Sequence, residues 1–433
     1  MVVAEVKIWD KYVGAVLWDV RTGVASFEFE PGFSRNNWDI APLTMPLSDA
    51  FTGRKFNYPD LPANTYYGLP GLLADSLPDK FGNQLIEVWL ATQGRQPGSM
   101  NPIERLCYMG KRGMGALEFH PATRIERGVS NNLDVSELVS LTQKAISRKT
   151  DLKTSFTDNE THALLDIIRV GTSAGGARAK AVIAINKHNT VKSGQVDVPE
   201  GYTHWLIKLD GISDEQLGDP KGYGRIEFAY YKMALDCGIT MNESRLLEEN
   251  GRAHFMTLRF DRIEHNRKLH MQTLCGLCHF DYNNPNAYAY EQAFQAMRSL
   301  RLPYTDAEQL FRRMVFNVIS QNNDDHTKNI SFLMDQTGQW SLSPAYDITY
   351  AYNPSNLWLA QHQLSVNNKR RDIISGDLLA VANKMNIKRA KEIIEQVQEV
   401  ISHWKEYATD TGIPESQITA IASTHLSKSR ELF

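Results

Sequence analysis

The chain has 433 residues, of which 42% are hydrophobic and 22% are charged, and its net charge is −3. This is the composition of an ordinary folded protein, and the length predicts about two or three packed units. The small negative charge excludes a general electrostatic attraction to nucleic acid or acidic lipid. The short apolar runs, a start without signal-peptide character and only four cysteines predict a cytoplasmic protein with free thiols and no membrane contact.

The first third of the chain predicts a strand unit followed by helices. Residues 1–30 alternate apolar and polar positions in short runs, which indicates a small antiparallel β-meander. Prolines and glycines recur in residues 42–70, and residues 71–94 then carry apolar positions at helical spacing. Residues 134–147 and 159–170 show the same helical periodicity, so a helical unit follows the strands.

The middle of the chain changes pattern twice. Residues 179–186 and 203–209 are short, apolar and β-branched, which predicts two strands, and residues 225–236 predict a helix. Strand, strand, helix is the order found in the small lobe of kinases. From residue 290 the pattern is mostly helical, but a loop and a predicted β-hairpin interrupt it within residues 323–350.

The segment QNNDDHTKN places Asp324 and Asn329 five residues apart. The same interval occurs in the kinase catalytic loop, where the aspartate orients the attacking hydroxyl and the asparagine holds magnesium. A loop rich in Asp and Asn is often only a turn. Here, however, the predicted hairpin leads directly to Asp347 in the sequence PAYD, where a second metal carboxylate is needed. We therefore predict Asp324 as the catalytic residue and Asn329 and Asp347 as metal ligands.

Three neighbours in the same loop leave alternatives open. Asp325 is a competing base, although only Asp324 keeps the five-residue interval to Asn329. His326 and Lys328 either approach the phosphates of a nucleotide or simply pack the loop.

A glycine-rich segment, GTSAGGARAKAVIAI, lies immediately before the first of the two predicted middle strands. Gly175 and Gly176 would let backbone N–H groups approach a phosphate closely, with Lys180 beside them. The segment does not match the P-loop pattern, because Ala177 stands where that pattern requires lysine. A plain flexible loop is therefore an equal alternative.

Lys208 is the one lysine of an apolar predicted strand, and Glu227 lies on the helix that follows. Together they have the order of the lysine–glutamate pair of kinases, in which the lysine contacts the nucleotide phosphates. The alternative is a lysine at an exposed strand end and a solvated glutamate. Phe260, in the sequence LRFDR, either encloses an adenine ring or belongs to the ordinary core.

Two further groups favour structural roles. Cys275, Cys278 and His279 form CGLCH, but no second cysteine pair lies near them, so buried thiols are favoured over a metal site. The basic run at residues 367–371 is more typical of a solvated loop than of a phosphate-binding surface.

Taken in order, GLLADSLPD, GTSAGGARAKA, the strand with Lys208, LRFDR, NNDDHTKN and PAYD resemble the HipA family of bacterial toxin kinases over nearly the whole chain. The resemblance implies an α+β fold with an N-terminal mixed α/β subdomain, a kinase-like nucleotide site and an all-helical C-terminal subdomain. We expect boundaries at residues 1–130, 131–265 and 266–433, the last being the mainly helical catalytic region. ATP and Mg²⁺ are the implied cofactors, with Lys208 as a phosphate contact.

The same resemblance implies a cellular role. It predicts a serine/threonine protein kinase toxin that phosphorylates a translation protein, such as an aminoacyl-tRNA synthetase, and also itself at Ser173, with Thr172 as the neighbouring alternative. It further implies a helix-turn-helix antitoxin similar to HipB that links the protein to operator DNA. A catalytically weak regulator and a small-molecule kinase are the alternatives. Arg178, Ala179 and Leu258 depart from the best-known pattern, which leaves the glycine-rich loop and the adenine contact open.

Overall fold

The computed structural model describes residues 2–121, 133–147, 178–194, 197–212 and 222–432. Several sequence predictions lie outside these residues. They are the helix at residues 159–170, the phosphorylation sites Ser173 and Thr172, and the glycines Gly175 and Gly176.

The N-terminal part is built on one antiparallel sheet with the strand order β4-β3-β2-β1-β5. Its strands are β1 (Val2–Ile8), β2 (Lys11–Asp19), β3 (Val24–Phe29), β4 (Lys55–Phe56) and β5 (Leu117–His120). Alternate residues of β3 (Ala25, Phe27 and Phe29) are buried, as expected for a strand with one face on a core. The β-meander predicted for the first thirty residues is therefore confirmed.

Helices follow the first four strands, as the periodicity predicts, and β5 lies between the fourth and the fifth of them. They are α1 (Ala63–Tyr66), α2 (Gly71–Ala74), α3 (Lys80–Thr92), α4 (Pro102–Met109) and α5 (Val135–Ser147). The helical pattern of residues 71–94 is divided into two helices because Pro78 disfavours a helical conformation at the residue before it. Asp79 then begins α3 as its N-cap, with its carboxylate accepting from the Gly82 amide at 2.6 Å.

A second antiparallel sheet carries the predicted middle strands, in the order β7-β6-β8-β10-β9. Its members are β6 (Lys180–Asn186), β7 (Val191–Ser193), β8 (Tyr202–Lys208), β9 (Ser244–Glu249) and β10 (Arg252–Leu258), and helix α6 (Tyr223–Asp236) follows β8. Lys180 on β6 lies directly opposite Lys208 on β8. Directly opposed residues share one face of a sheet, so both lysines project on the same side.

The C-terminal part is mainly helical and also contains short strands. The strands are β11 (Arg262–Ile263), β12 (Arg267–Lys268), β13 (His270–Thr273), β14 (Ser331–Met334) and β15 (Trp340–Leu342). The helices are α7 (Leu274–Cys278), α8 (Tyr290–Ser299), α9 (Tyr304–Ile319), α10 (Ser375–Met385), α11 (Ala390–Ser402), α12 (Trp404–Asp410) and α13 (Glu415–Leu432). Strands β13, β14 and β15 form a small sheet, so this part is not helical throughout. The hairpin predicted between Asn329 and Asp347 is β14–β15.

Two aspartates join the N-terminal part to the rest of the chain. Asp261 binds Arg259 and Arg262, each at 2.7 Å, and accepts from the Gly115 amide at 2.7 Å. Burial acts to raise the pKa of Asp261, but the two guanidinium groups outweigh it and hold the pKa well below the ordinary value. Asp75 accepts from the backbone and hydroxyl of Thr273, both at 2.8 Å. These contacts join the N-terminal part to the segment that follows β10 and to the end of β13.

The division of the chain into three units stays a prediction as far as its boundaries are concerned. Helix α3 contributes buried residues such as Leu85 and Ile86 to a core that also contains Ile183 and Ile207 of the second sheet.

Among the described residues, no helix is long and apolar enough to cross a membrane.

Candidate active site

The centre of the candidate site is a partly buried lysine held between two carboxylates. The Lys208 ammonium donates to Glu227 Oε1 at 2.5 Å and also to Asp347 Oδ1. The lysine comes from β8, the glutamate from α6, and the second carboxylate from the turn after β15. The side chains predicted to form a lysine–glutamate pair are thus in contact, and the predicted metal carboxylate joins them.

The opposite charges of Lys208 and its two carboxylate partners favour the ionised form of each. Burial lowers the pKa of Lys208, but the charges of Asp347 and Glu227 outweigh burial and hold its pKa above the ordinary value. Burial acts to raise the pKa of Asp347, but Lys208 and Lys180 lower it to about 2. Burial also raises the pKa of Glu227, against the opposing effect of Lys208. Asp347 therefore carries a full negative charge at neutral pH.

Hydrogen bonds hold the turn that presents Asp347. Asp347 adopts a left-handed backbone conformation with φ of 53°. The preceding Tyr346 donates its hydroxyl to the Lys328 carbonyl at 2.6 Å. Arg313, a buried residue of α9, donates to the Ser343 carbonyl at 2.5 Å. These two hydrogen bonds hold the chain that leads into the turn, where Asp347 adopts its left-handed conformation.

Asn329, the other predicted metal ligand, lies beside this turn. Its side-chain nitrogen donates to the Asp324 carbonyl at 2.8 Å, so its side-chain oxygen is the atom left to bind a cation. Asn329, Asp347 and His326 line one common cavity. The two oxygen ligands predicted for magnesium therefore face a shared space, and carboxylate and amide oxygens are the donors that magnesium prefers.

The two adjacent aspartates of the loop have different environments. The Asp324 side chain is 43% exposed and accepts from the indole nitrogen of Trp358 at 2.6 Å. Asp325 is buried and accepts from the Tyr290 hydroxyl at 2.8 Å and from the Gln363 amide at 2.7 Å. Its contacts are those of a structural anchor, so the geometry favours Asp324 over Asp325 as the residue that meets an acceptor.

His326 and Lys328 have different neighbours. His326 is close to the candidate base, with its Nε2 atom 3.9 Å from Asp324 Oδ1. The Lys328 ammonium lies 4.4 Å from the centre of the Tyr282 ring, which packs against the core of the N-terminal part. Burial lowers the pKa of Lys328, but Cys275, Tyr282 and other groups nearby hold it above the ordinary value.

Lys180 meets a partner that the sequence analysis missed. Its ammonium lies 3.4 Å from Asp79 Oδ2, and both side chains are buried. Burial raises the pKa of Asp79 to about 6, although Lys180 opposes the rise. The local signal was the sequence Pro78-Asp79 before a helical run, which marks a helix N-cap. The signal predicts the cap, but it does not predict the contact with Lys180.

We expect Asp79→Asn to change the pH dependence of stability. The folded pKa of Asp79, about 6, lies above the ordinary value of 3.8. Its contribution to stability is therefore complete below about pH 4 and is lost as the pH rises through 6. Asparagine keeps the helix cap but does not titrate, so the change in unfolding free energy between pH 4 and pH 7.5 should shrink by about 3 kcal/mol. Urea unfolding at both pH values measures this difference.

The natural comparison for that experiment is Asp75→Asn, because burial likewise raises the pKa of Asp75 to about 6. Asp75 accepts hydrogen bonds from Thr273, so Asp75→Asn should likewise reduce the pH dependence of stability. An Asp79→Asn protein with an unchanged pH profile would contradict the assigned role of Asp79.

The remaining predicted residues have these positions. The Phe260 ring lies 5.6 Å from the ring of Tyr346, next to the Asp347 turn. His279 accepts from the Gly71 amide at 3.0 Å, and among the described residues no cluster of three metal-binding side chains occurs. The basic run packs locally, since Lys369 binds Asp377 at 2.8 Å.

Trp358 is the other residue that the sequence analysis missed. It lies in the uncharged segment NPSNLWLAQ, whose composition indicates only a turn. A tryptophan among turn residues is unusual, but only the folded chain brings its indole to Asp324.

Comparison with known proteins gives two family matches. The family model of the HipA N-terminal domain matches residues 4–120, and that of the HipA-like C-terminal domain matches residues 172–404. The chain also resembles HipA of Shewanella oneidensis MR-1, solved with HipB and operator DNA, at 15% identity over 99% of this chain and 97% of that one, with a TM-score of 0.68. The Helicobacter pylori proinflammatory kinase CtkA shares 13% identity over 60% and 90% of the two chains, with a TM-score of 0.38. A search among curated proteins gives no match.

Proposed function

The chain belongs to the HipA family, and from this membership we propose that it is an ATP-dependent serine/threonine protein kinase acting as the toxin of a toxin–antitoxin pair. The observation that carries the proposal is the contact of Lys208 with Glu227 and Asp347, beside the loop that holds Asp324 and Asn329. Phosphoryl transfer depends mainly on positioning and charge neutralisation, and these side chains supply both.

Each residue has a role in this proposal. Asp324 accepts the proton of the acceptor hydroxyl while the hydroxyl oxygen forms a bond to the γ-phosphorus of ATP. The bond from that phosphorus to the β,γ-bridging oxygen breaks, and ADP leaves. Lys208 contacts the nucleotide phosphates, with Lys180 as a second cation on the same face of the sheet. His326 and Lys328 are proposed to lie near the phosphates, and Phe260 near the adenine.

Magnesium and the glycine-rich loop complete the proposed nucleotide site. Asn329 and Asp347 would hold Mg²⁺, which neutralises phosphate charge when it is bound. We propose that Gly175 and Gly176 approach the phosphates and that Ser173, or its neighbour Thr172, accepts phosphate from the enzyme itself. A phosphate in that loop would repel the phosphates of ATP and switch the enzyme off.

The proposed partners follow from the family. The Shewanella HipA is solved with HipB and operator DNA, and we propose a similar helix-turn-helix antitoxin here, through which the protein meets DNA indirectly. The proposed acceptor is a cytoplasmic translation protein such as an aminoacyl-tRNA synthetase, whose phosphorylation would inhibit growth and favour persistence.

One experiment tests this function. Purified protein is incubated with Mg²⁺ and γ-labelled ATP, with and without candidate synthetases, and the phosphosites are mapped by mass spectrometry. We expect label on Ser173 and on a serine or threonine of one added protein. Label on a metabolite alone would favour a small-molecule kinase, and unlabelled protein that still represses an operator with its antitoxin would favour a regulator.

A further inference from the structure

Residues 351–363, which we call the strap, follow the Asp347 turn and pass beside the catalytic loop. At the start of the strap, the Ala351 carbonyl accepts from the Asn323 amide at 3.2 Å. At its end, the Gln363 amide donates to Asp325 Oδ1 at 2.7 Å. Both ends are therefore hydrogen-bonded to the loop that contains Asp324, so the strap and the loop hold one another in place.

The tip of the strap is a tight turn. The Asn356 side chain accepts from the amides of Trp358 at 2.8 Å and Leu359 at 3.2 Å. The Leu359 carbonyl accepts from the Asn323 side chain at 2.9 Å, which fastens the tip to the catalytic loop as well. A turn with these bonds presents its side chains in defined directions.

Two neighbouring side chains at this tip differ sharply in exposure. Trp358 is partly buried, and its indole nitrogen donates to Asp324 Oδ1 at 2.6 Å. Leu357 is 92% exposed. An exposed leucine alone is ordinary, but this one adjoins the residue that binds the candidate base. Residues 351–361 also contain no charged side chain, so the surface they offer is apolar and polar but not ionic.

We propose that the strap recognises the polypeptide acceptor. Trp358 is a positioning residue: its N–H group occupies Asp324 Oδ1 and leaves Oδ2 to meet the acceptor hydroxyl. Leu357 contacts an apolar side chain of the acceptor at a fixed distance along the chain from the phosphorylated serine or threonine. This inference rests on the proposed kinase function and deepens it, because a small-molecule acceptor would have no use for Leu357.

A peptide array tests the role of Leu357. Each peptide carries one serine and one leucine at a varied offset from it, and γ-labelled ATP and Mg²⁺ are supplied. We expect the unmodified protein to label peptides with leucine at one offset roughly 10-fold faster than the others. Leu357→Asp should abolish that preference. Leu426→Asp, at a residue of α13 that is 54% exposed, is the matched control and should keep it.

Trp358→Phe tests the positioning role, because phenylalanine keeps a ring but lacks the N–H donor. We expect kcat to fall roughly 10- to 100-fold on every peptide while the KM for ATP stays unchanged, since only the orientation of Asp324 is affected. A merely structural role for the ring would leave kcat unchanged in this variant.

The outcomes separate the two proposals. If the unmodified protein labels peptides and Leu357→Asp keeps the same offset preference, the strap is not the recognition element. A Trp358→Phe protein with an unchanged kcat overturns the positioning role. If the unmodified protein transfers phosphate neither to the array nor to itself, the kinase function fails and the strap proposal with it.

Discussion

Asp324→Asn is expected to reduce phosphate transfer roughly 10²- to 10⁴-fold, the usual contribution of a general base. Asparagine has the same shape and still accepts from the Trp358 indole, so the loop should keep its conformation. Because the Asp324 side chain is 43% exposed, the substitution should leave the unfolding midpoint nearly unchanged. Initial rates of self-labelling and peptide labelling, with denaturation curves, measure both effects.

Asp325→Asn is the matched control for that experiment. Asp325 is buried and accepts hydrogen bonds from Tyr290 and Gln363, so its substitution should lower the free energy of unfolding by about 3 kcal/mol. The pattern expected for this neighbouring pair is loss of chemistry at position 324 and loss of stability at position 325. An active Asp324→Asn protein would show that another group takes the proton.

Local signals in the sequence account for the parts of the site that were predicted. The interval from Asp324 to Asn329 is five residues, and one short loop fixes it. The hairpin to Asp347 also has a local signal, because two short apolar runs flank a turn at Gly338. The order of Lys208 and Glu227 along the chain was sufficient to pair them, because a helix that follows a strand packs against that strand.

The features that were missed depend on contacts between distant segments. Asp79 meets Lys180, and Asp261 meets Gly115, across about a hundred residues or more. Apolar periodicity indicates which face of an element is buried, but it does not indicate which charged side chain the face will meet. The contact of the Trp358 indole with Asp324 could not be predicted either, because its segment has only the pattern of a turn. Burial of these polar groups, visible only in the fold, reveals their partners.

Lys208→Met is the second substitution with a large expected effect. It removes the cation between Glu227 and Asp347, which would leave the buried Glu227 carboxylate beside the partly buried Asp347 carboxylate. Breaking a buried ion pair in this way should lower the free energy of unfolding by about 3–5 kcal/mol, and phosphate transfer should also be lost. Urea unfolding and initial rates of phosphate labelling measure the two losses separately.

The double substitution Lys208→Met with Glu227→Gln distinguishes the two roles of the lysine. Removing the charge of Glu227 relieves the repulsion with Asp347, so most of the lost stability should return. Phosphate transfer should not return, because the proposed phosphate contact is still missing. If the double variant regained activity together with stability, Lys208 would be only a counter-ion for its two carboxylates. If it regained neither, repulsion between the carboxylates would not be the cause of the instability.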